Sequence, residues 1–221
     1  MARVLFWDVD TQYDFMKAEG KLYVPEAEDI IPNLKRLADY AHAHGIRIVA
    51  SADDHDAGHP EISDRPDWKA TFPPHCMRGT PGQQKISETA LRDPLVIEPA
   101  GTNPQALAEQ VRAHTGDILL HKHALDVFTN ENVLTVLDVL DPDDIVLYGV
   151  ATDFCNRAAV EGLLLRRPHT RLFAVTDAMK PIDKDAAEHL LREWGDEGVR
   201  LVKTAEVVEG GLVEDLARAT A

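Results

Sequence analysis

DIVLYGVATDFCNRAAVEGLLL, residues 144–165, reads as one strand, one turn and one helix. The run from Asp144 to Val150 is almost continuously apolar, as a strand covered on both faces must be. Beyond it, Ala158, Ala159, Val160, Leu163 and Leu164 supply one buried helical face. Thr152 and Asp153 are candidate caps, which puts Cys155 in the first helical turn. Unpaired N–H groups and the positive end of the helix dipole there favour thiolate over thiol. The same N–H groups could hold an oxyanion. The alternative role for Cys155 is a small apolar residue packed under the sheet.

The same alternation extends in both directions. The strand-like runs are RVLFWDV, IRIVAS, DILLH, DIVLYGV, RLFAV and VRLVK, with helical patterns near 29–45, 103–114 and 131–140, after Cys155 and near 184–194. Strands alternating with helices imply right-handed crossovers, hence an α/β fold: a three-layer α/β/α arrangement around a mostly parallel sheet of about six strands. In the first helix Ile30, Ile31, Leu34, Leu37, Ala38 and Ala41 share one face, Asp29 is placed to cap it, and Pro32 falls in the first turn. Residues 52–93 break the pattern, being rich in proline and histidine and without either period; so long a stretch is usually functional or disordered. With no linker or internal repeat, residues 1–221 are expected to form a single domain.

Composition narrows the possible partners. The net charge of -15 repels phosphate backbones and anionic lipid, which argues against nucleic acid and membranes. No apolar run reaches the roughly 18 residues of a membrane span, and MARVLFWDVD lacks a signal-peptide pattern, so a cytoplasmic location is expected. Cys76 and Cys155 are too few for a disulfide framework, and Cys76 reads as core filler. Exposed helices on a compact domain are compatible with a homo-oligomer.

Ligands of open parallel sheets bind at the carboxyl ends of the strands, which here are marked by Asp10, Asp53 with His55, Lys122, Cys155 and Asp177. A carboxylate at Asp10 could take the thiol proton, although aspartates at strand ends often only form turns. Lys122 could stabilise negative charge beside the sulfur, or be a solvated surface residue. Asp53 and His55 point the same way on an extended segment, and the loop could return His75 to them. Two histidines and a carboxylate with open positions suit zinc, iron or manganese; a merely polar loop is the alternative. His59 is a fourth candidate, as ligand or as partner to a ligand. His42 and His44, at a helix end, read as exposed.

Five motifs in order, D-T-Q-Y-D-F (10–15), D-D-H-D-A-G-H (53–59), F-P-P-H-C-M-R-G-T-P-G (72–82), Lys122 and G-V-A-T-D-F-C (149–155), resemble the isochorismatase-like cysteine hydrolases, and within them the nicotinamidases. The resemblance implies a triad of Asp10, Lys122 and Cys155, with Cys155 attacking a carboxamide carbon. It implies that Asp53, His55 and His75 hold one divalent metal ion, zinc first, with iron and manganese as alternatives. It further implies a cis Val150–Ala151 peptide, an oxyanion hole from the N–H groups of Ala151 and Cys155, and Phe15 and Phe72 beside the substrate ring. The implied reaction is hydrolysis of nicotinamide to nicotinate and ammonia through a thioester.

The sequence departs from the family at Asp54, where a tryptophan is usual, at Phe72, and after Lys122, which is followed by HALDVF. These positions bear on which small amide is accepted. Alternatives are a related small-amide or N-carbamoyl hydrolase, a phosphatase of the haloacid dehalogenase type with Asp8 as nucleophile, and a non-enzymatic metal-binding scaffold.

Overall fold

A computed structural model of the chain describes residues 3–218. The elements in order are β1 (Val4–Val9), α1 (Tyr13–Met16), α2 (Ile31–Ala43), β2 (Ile48–Asp53), β3 (Leu95–Ile97), α3 (Pro104–Ala113), β4 (Ile118–Lys122), α4 (Val133–Leu140), β5 (Asp144–Val150), α5 (Arg157–Arg166), β6 (Arg171–Lys180), α6 (Lys184–Asp196), β7 (Arg200–Val202), α7 (Thr204–Val208) and α8 (Leu212–Arg218). The seven strands form one sheet in the order β3-β4-β2-β1-β5-β6-β7, and every pairing is parallel.

Alternation along β1 explains the layers. Leu5, Trp7 and Val9 join a core with the inner faces of α3, α4, α5 and α6. Phe6 points the other way, into a core with α2, α7 and α8. The same split separates Ile145 and Leu147 from Val146, Tyr148 and Val150 on β5. Both faces of the central strands are thus dry, as their unbroken apolar runs require.

Seven strands replace the expected six. The extra one, β3, is a three-residue edge strand whose Leu95 and Val96 are only partly covered, so it carries no alternation to read. Helices α7 and α8 were also not anticipated; they are short, and their buried Val207, Val213 and Leu216 pack into the core beside α2.

Pro32 lies in the first turn of α2 as expected, but Asp29 does not cap it. A 3-10 turn, Ala27–Ile30, leads directly into the helix, and Asp29 instead pairs with Lys180 at 3.4 Å. His42 is not exposed: only 9% of its side chain is accessible, and its Nε2 lies 2.8 Å from Asp117 Oδ2. Residues 54–93 contain no α-helix or ladder strand, only short 3-10 turns and isolated bridges such as His55 to Met77 and Ile62 to Phe72. Among the described residues no helix is long and apolar enough to cross a membrane.

Candidate active site

The strand order does the gathering. Along β4-β2-β1-β5 the carboxyl ends deliver Lys122, Asp53, Asp10 and the turn bearing Cys155 side by side, although their sequence order is Asp10, Asp53, Lys122, Cys155. Lys122 Nζ lies 2.9 Å from Asp10 Oδ2 and 3.6 Å from Cys155 Sγ, and also contacts Asp53 Oδ1. All four residues are buried. Ser51 Oγ donates to Asp10 Oδ1 at 2.6 Å, which orients the carboxylate.

Burial opposes a charge on Lys122, but the Asp10 and Asp53 carboxylates outweigh it and hold the ammonium well above its usual range. Burial likewise opposes ionisation of Asp53, yet Lys122, His55 and His75 keep its carboxyl well below the ordinary value. Cys155 departs from expectation. Burial pushes its thiol well above the usual value; Lys122 acts against this, and Asp10 and Asp53 reinforce it. A helix end favours an anion, but enclosure removes the water that would solvate it, and Lys122 is already shared with two carboxylates.

The turn itself is wider than an α-turn. Thr152–Asn156 winds with Asn156 N donating to Ala151 O at 3.1 Å, five residues back. Such local widening often occurs where a helix carries functional groups. Neither Thr152 nor Asp153 caps it. Asp153 instead accepts from the N–H groups of Ile182 (2.9 Å) and Asp183 (2.8 Å). The Val150–Ala151 peptide is cis, as the resemblance implied, and the preceding Gly149 has φ of 123°. A Cβ there would run into the Val9 carbonyl, so glycine lets β5 end against β1.

Beside the triad, Asp53, His55 and His75 are joined by Glu61, with one donor atom from each within 4.8 Å of the others. His75 Nε2 is 3.3 Å and His55 Nε2 3.6 Å from Asp53 Oδ2. His75 Nδ1 donates to the Pro73 carbonyl at 2.8 Å, which fixes that tautomer and turns Nε2 towards Asp53 as a possible ligand atom. His55 is wholly buried, and neither of its ring nitrogens has a hydrogen-bond partner. An orphaned imidazole among carboxylates is what a metal ligand looks like without its ion, so the donor set fits a divalent cation.

Glu61 was missed by sequence reasoning. Its only signal was a carboxylate six residues beyond His55 in a histidine-rich loop, and burial, then Asp53, pushes its carboxyl upward. His59 stays outside the cluster, its ring 3.8 Å from that of His123 and 5.7 Å from that of His55. Gln12 was also missed: its amide accepts from Asp53 N (2.7 Å) and donates to Asp53 O (2.8 Å), bracing the Asp53 backbone.

Cys155, Asp53, Glu61 and His75 open onto a cavity of about 370 Å³, counting the space at its mouth. Phe15, Phe72 and Phe154 line it, with Val150, Ala151 and Ile182. Phe15 and Phe72 have ring centroids 5.4 and 6.2 Å from that of His75, and Phe154, not anticipated, meets Phe72 edge-on at 5.9 Å. No lysine or arginine lines the cavity.

The remaining candidates fall elsewhere. Asp177 accepts from Thr204 N and Oγ1 at 2.8 and 2.9 Å, anchoring α7. Cys76 is fully buried, its backbone N–H held by Asp14 at 2.7 Å, as befits filler. Asp8, the nucleophile of the phosphatase alternative, is sealed between Thr11 (2.9 Å) and Lys85 (3.0 Å) and does not line the cavity.

Comparison with known proteins agrees with this architecture. The chain is 28% identical over 203 residues to the nicotinamidase/pyrazinamidase of Mycobacterium tuberculosis (strain ATCC 25618 / H37Rv), covering 88% of this chain and 95% of that one. It is 25% identical over 213 residues to the nicotinamidase of Escherichia coli (strain K12), covering 90% and 93%. The pyrazinamidase of Pyrococcus horikoshii, solved in complex with zinc, shares the fold with a TM-score of 0.72 at 24% identity, covering 91% of this chain and 99% of that one. The isochorismatase domain profile matches residues 5–99 and 96–206, and the chain therefore belongs to the isochorismatase family.

Proposed function

We propose that this chain is a metal-assisted cysteine amidohydrolase that hydrolyses nicotinamide to nicotinate and ammonia through a thioester on Cys155. The observation that carries the reading is Lys122 Nζ, 2.9 Å from Asp10 and 3.6 Å from Cys155, sealed from water beside an aromatic-lined cavity. The nicotinamidase names of the curated relatives support the choice of substrate.

In the proposed mechanism Asp10 takes the thiol proton as the sulfur attacks the carboxamide carbon. Burial pushes the Cys155 thiol up, which suits removal of its proton as the new carbon–sulfur bond forms. Lys122 offsets the negative charge of the cluster, and the N–H groups of Ala151 and Cys155 would receive the oxyanion. The carbon–nitrogen bond then breaks and ammonia leaves with the proton held by Asp10. Asp10 next takes a proton from water, whose oxygen attacks the thioester; the carbon–sulfur bond breaks and the sulfur recovers the proton.

Asp53, His55, Glu61 and His75 would hold the divalent ion, for which we propose zinc because imidazole and carboxylate donors suit it. When bound, the ion would supply a Lewis-acid contact for a lone pair of the substrate ring. Phe15, Phe72 and Phe154 would pack the ring itself. Two unpaired cysteines fit a reducing, cytoplasmic setting.

Ammonia release from nicotinamide, pyrazinamide and an N-carbamoyl amino acid, each with and without chelator, tests the reading. Nicotinamide turnover suppressed by chelator is the expected outcome. The N-carbamoyl amino acid stands for the competing substrate class. Release from that compound alone would overturn the proposal.

A further inference from the structure

The register that builds the cleft also builds a second donor set on the other face of the same strand ends. Successive residues of a strand point to opposite sides of the sheet, and residues paired across parallel strands point to the same side. Asp53 pairs with Lys122 and their side chains meet on the side of the sheet end that holds Cys155, so His121, which pairs with Ala52, faces away from it. Asp54 N donates to Lys122 O at 3.0 Å, which carries the ladder one step further and sets Asp54 beside His123 on that far face. On β3, Ile97 pairs with Leu120, which brings Glu98 alongside His121.

The side chains converge accordingly. His121 Nδ1 lies 3.8 Å from Asp54 Oδ2 and 3.3 Å from Glu98 Oε1, and His123 Nε2 lies 3.7 Å from Asp54 Oδ2. Donor atoms 2.0–2.2 Å from a tetrahedral ion are separated by about 3.4 Å, so these spacings need little adjustment. Asp54 is 2% exposed, and His123 Nε2 is buried without a hydrogen-bond partner. The carboxylate of Asp54 now takes its counter-charge from Arg78, whose Nε sits 3.0 Å from both oxygens, and Gln83 Nε2 donates to it as well. Arg78 is 53% exposed and can swing into solvent.

We propose that Asp54, Glu98 and His121, with His123 at the margin, form a second divalent-metal site, back to back with the first cluster and suited to a zinc-class ion. Imidazole with carboxylates is a donor set for such ions, and binding would replace Arg78 as the counter-charge of Asp54. It would also tie β3, β4 and the start of the loop carrying His55 together at one point.

Chelator-stripped protein titrated with zinc chloride, with bound zinc counted after equilibrium dialysis, tests this directly. Two ions per chain are expected, the second weaker than the first. His121→Ala and Glu98→Gln, both at partly or fully exposed positions, should each weaken the second ion at least tenfold and leave the first unchanged. Arg78→Met should tighten the second ion by removing its competitor. One ion per chain at saturating zinc in both the native protein and Arg78→Met would overturn the proposal. So would a second ion retained equally by His121→Ala and Glu98→Gln, because it would then sit elsewhere.

Discussion

Lys122 concentrates the electrostatics of the site in one side chain. Its ammonium is fully enclosed and touches Asp10, Asp53 and Cys155, so its removal leaves two facing carboxylates without a counter-charge. Breaking a buried ion pair typically costs about 3–5 kcal/mol, and Lys122→Met is expected to lose that much in urea unfolding together with turnover. Cys155→Ser preserves the packing but replaces the nucleophile; turnover should fall by about 10³-fold or more with an unchanged unfolding midpoint, read from ammonia release and denaturation on the same preparation. At this scale the sequence was legible wherever a residue type and a strand end coincided, as at Asp10, Asp53, Lys122 and Cys155. It was silent at Glu61 and Gln12, whose roles come from loop positions that no period marks. It did not show the opposing effect of burial on the Cys155 thiol, because the helix end is a local feature whereas enclosure of the sulfur is a property of the packed site.

The elements are held by apolar faces and by a few ion pairs at their ends. Leu34 and Leu37 of α2 are wholly buried against the sheet, and Leu37→Ala should cost about 2–5 kcal/mol, visible as a lower urea midpoint at unchanged slope. Glu26 ties the entry of α2 to the end of β6 and the start of α6 through Lys180 at 2.9 Å and Lys184 at 2.6 Å. Those lysines lower its carboxyl from 4.5 to about 2. A group depressed in the folded state stabilises above its unfolded pKa and loses that contribution as pH falls towards the folded value. The stability difference between native protein and Glu26→Gln should therefore be constant above about pH 5 and shrink between pH 4.5 and about 2, as compared by urea midpoints across that window. The helical faces of α2 to α6 were readable because each repeats over two or more turns. The Asp29 cap failed because a 3-10 turn precedes the helix and diverts that side chain to Lys180.

On the scale of the whole molecule, an ion held by the proposed cluster of Asp53, His55, Glu61 and His75 would join the end of β2 to a loop otherwise anchored by few regular hydrogen bonds. A ligand that binds only the folded state stabilises it by about 2.7 kcal/mol at a hundredfold excess over its Kd. Chelation should accordingly lower the melting temperature and zinc should restore it, whereas in His75→Ala the difference between the zinc-loaded and the chelated protein should shrink. The strand order makes this cluster and the triad neighbours: β1 at the centre, β2 and β5 on either side of it, and β4 beyond β2. By itself the sequence determined the α/β class, the parallel sheet, the elements of helical period and the identity of the chemically capable residues, because these follow from local periodicity, strand ends and motifs. Only the tertiary structure decided the seventh strand, the approach of Glu61 to Asp53, His55 and His75, and the enclosure of the Cys155 sulfur. Each depends on which distant segments share a face and exclude water, and no local pattern of residues records that.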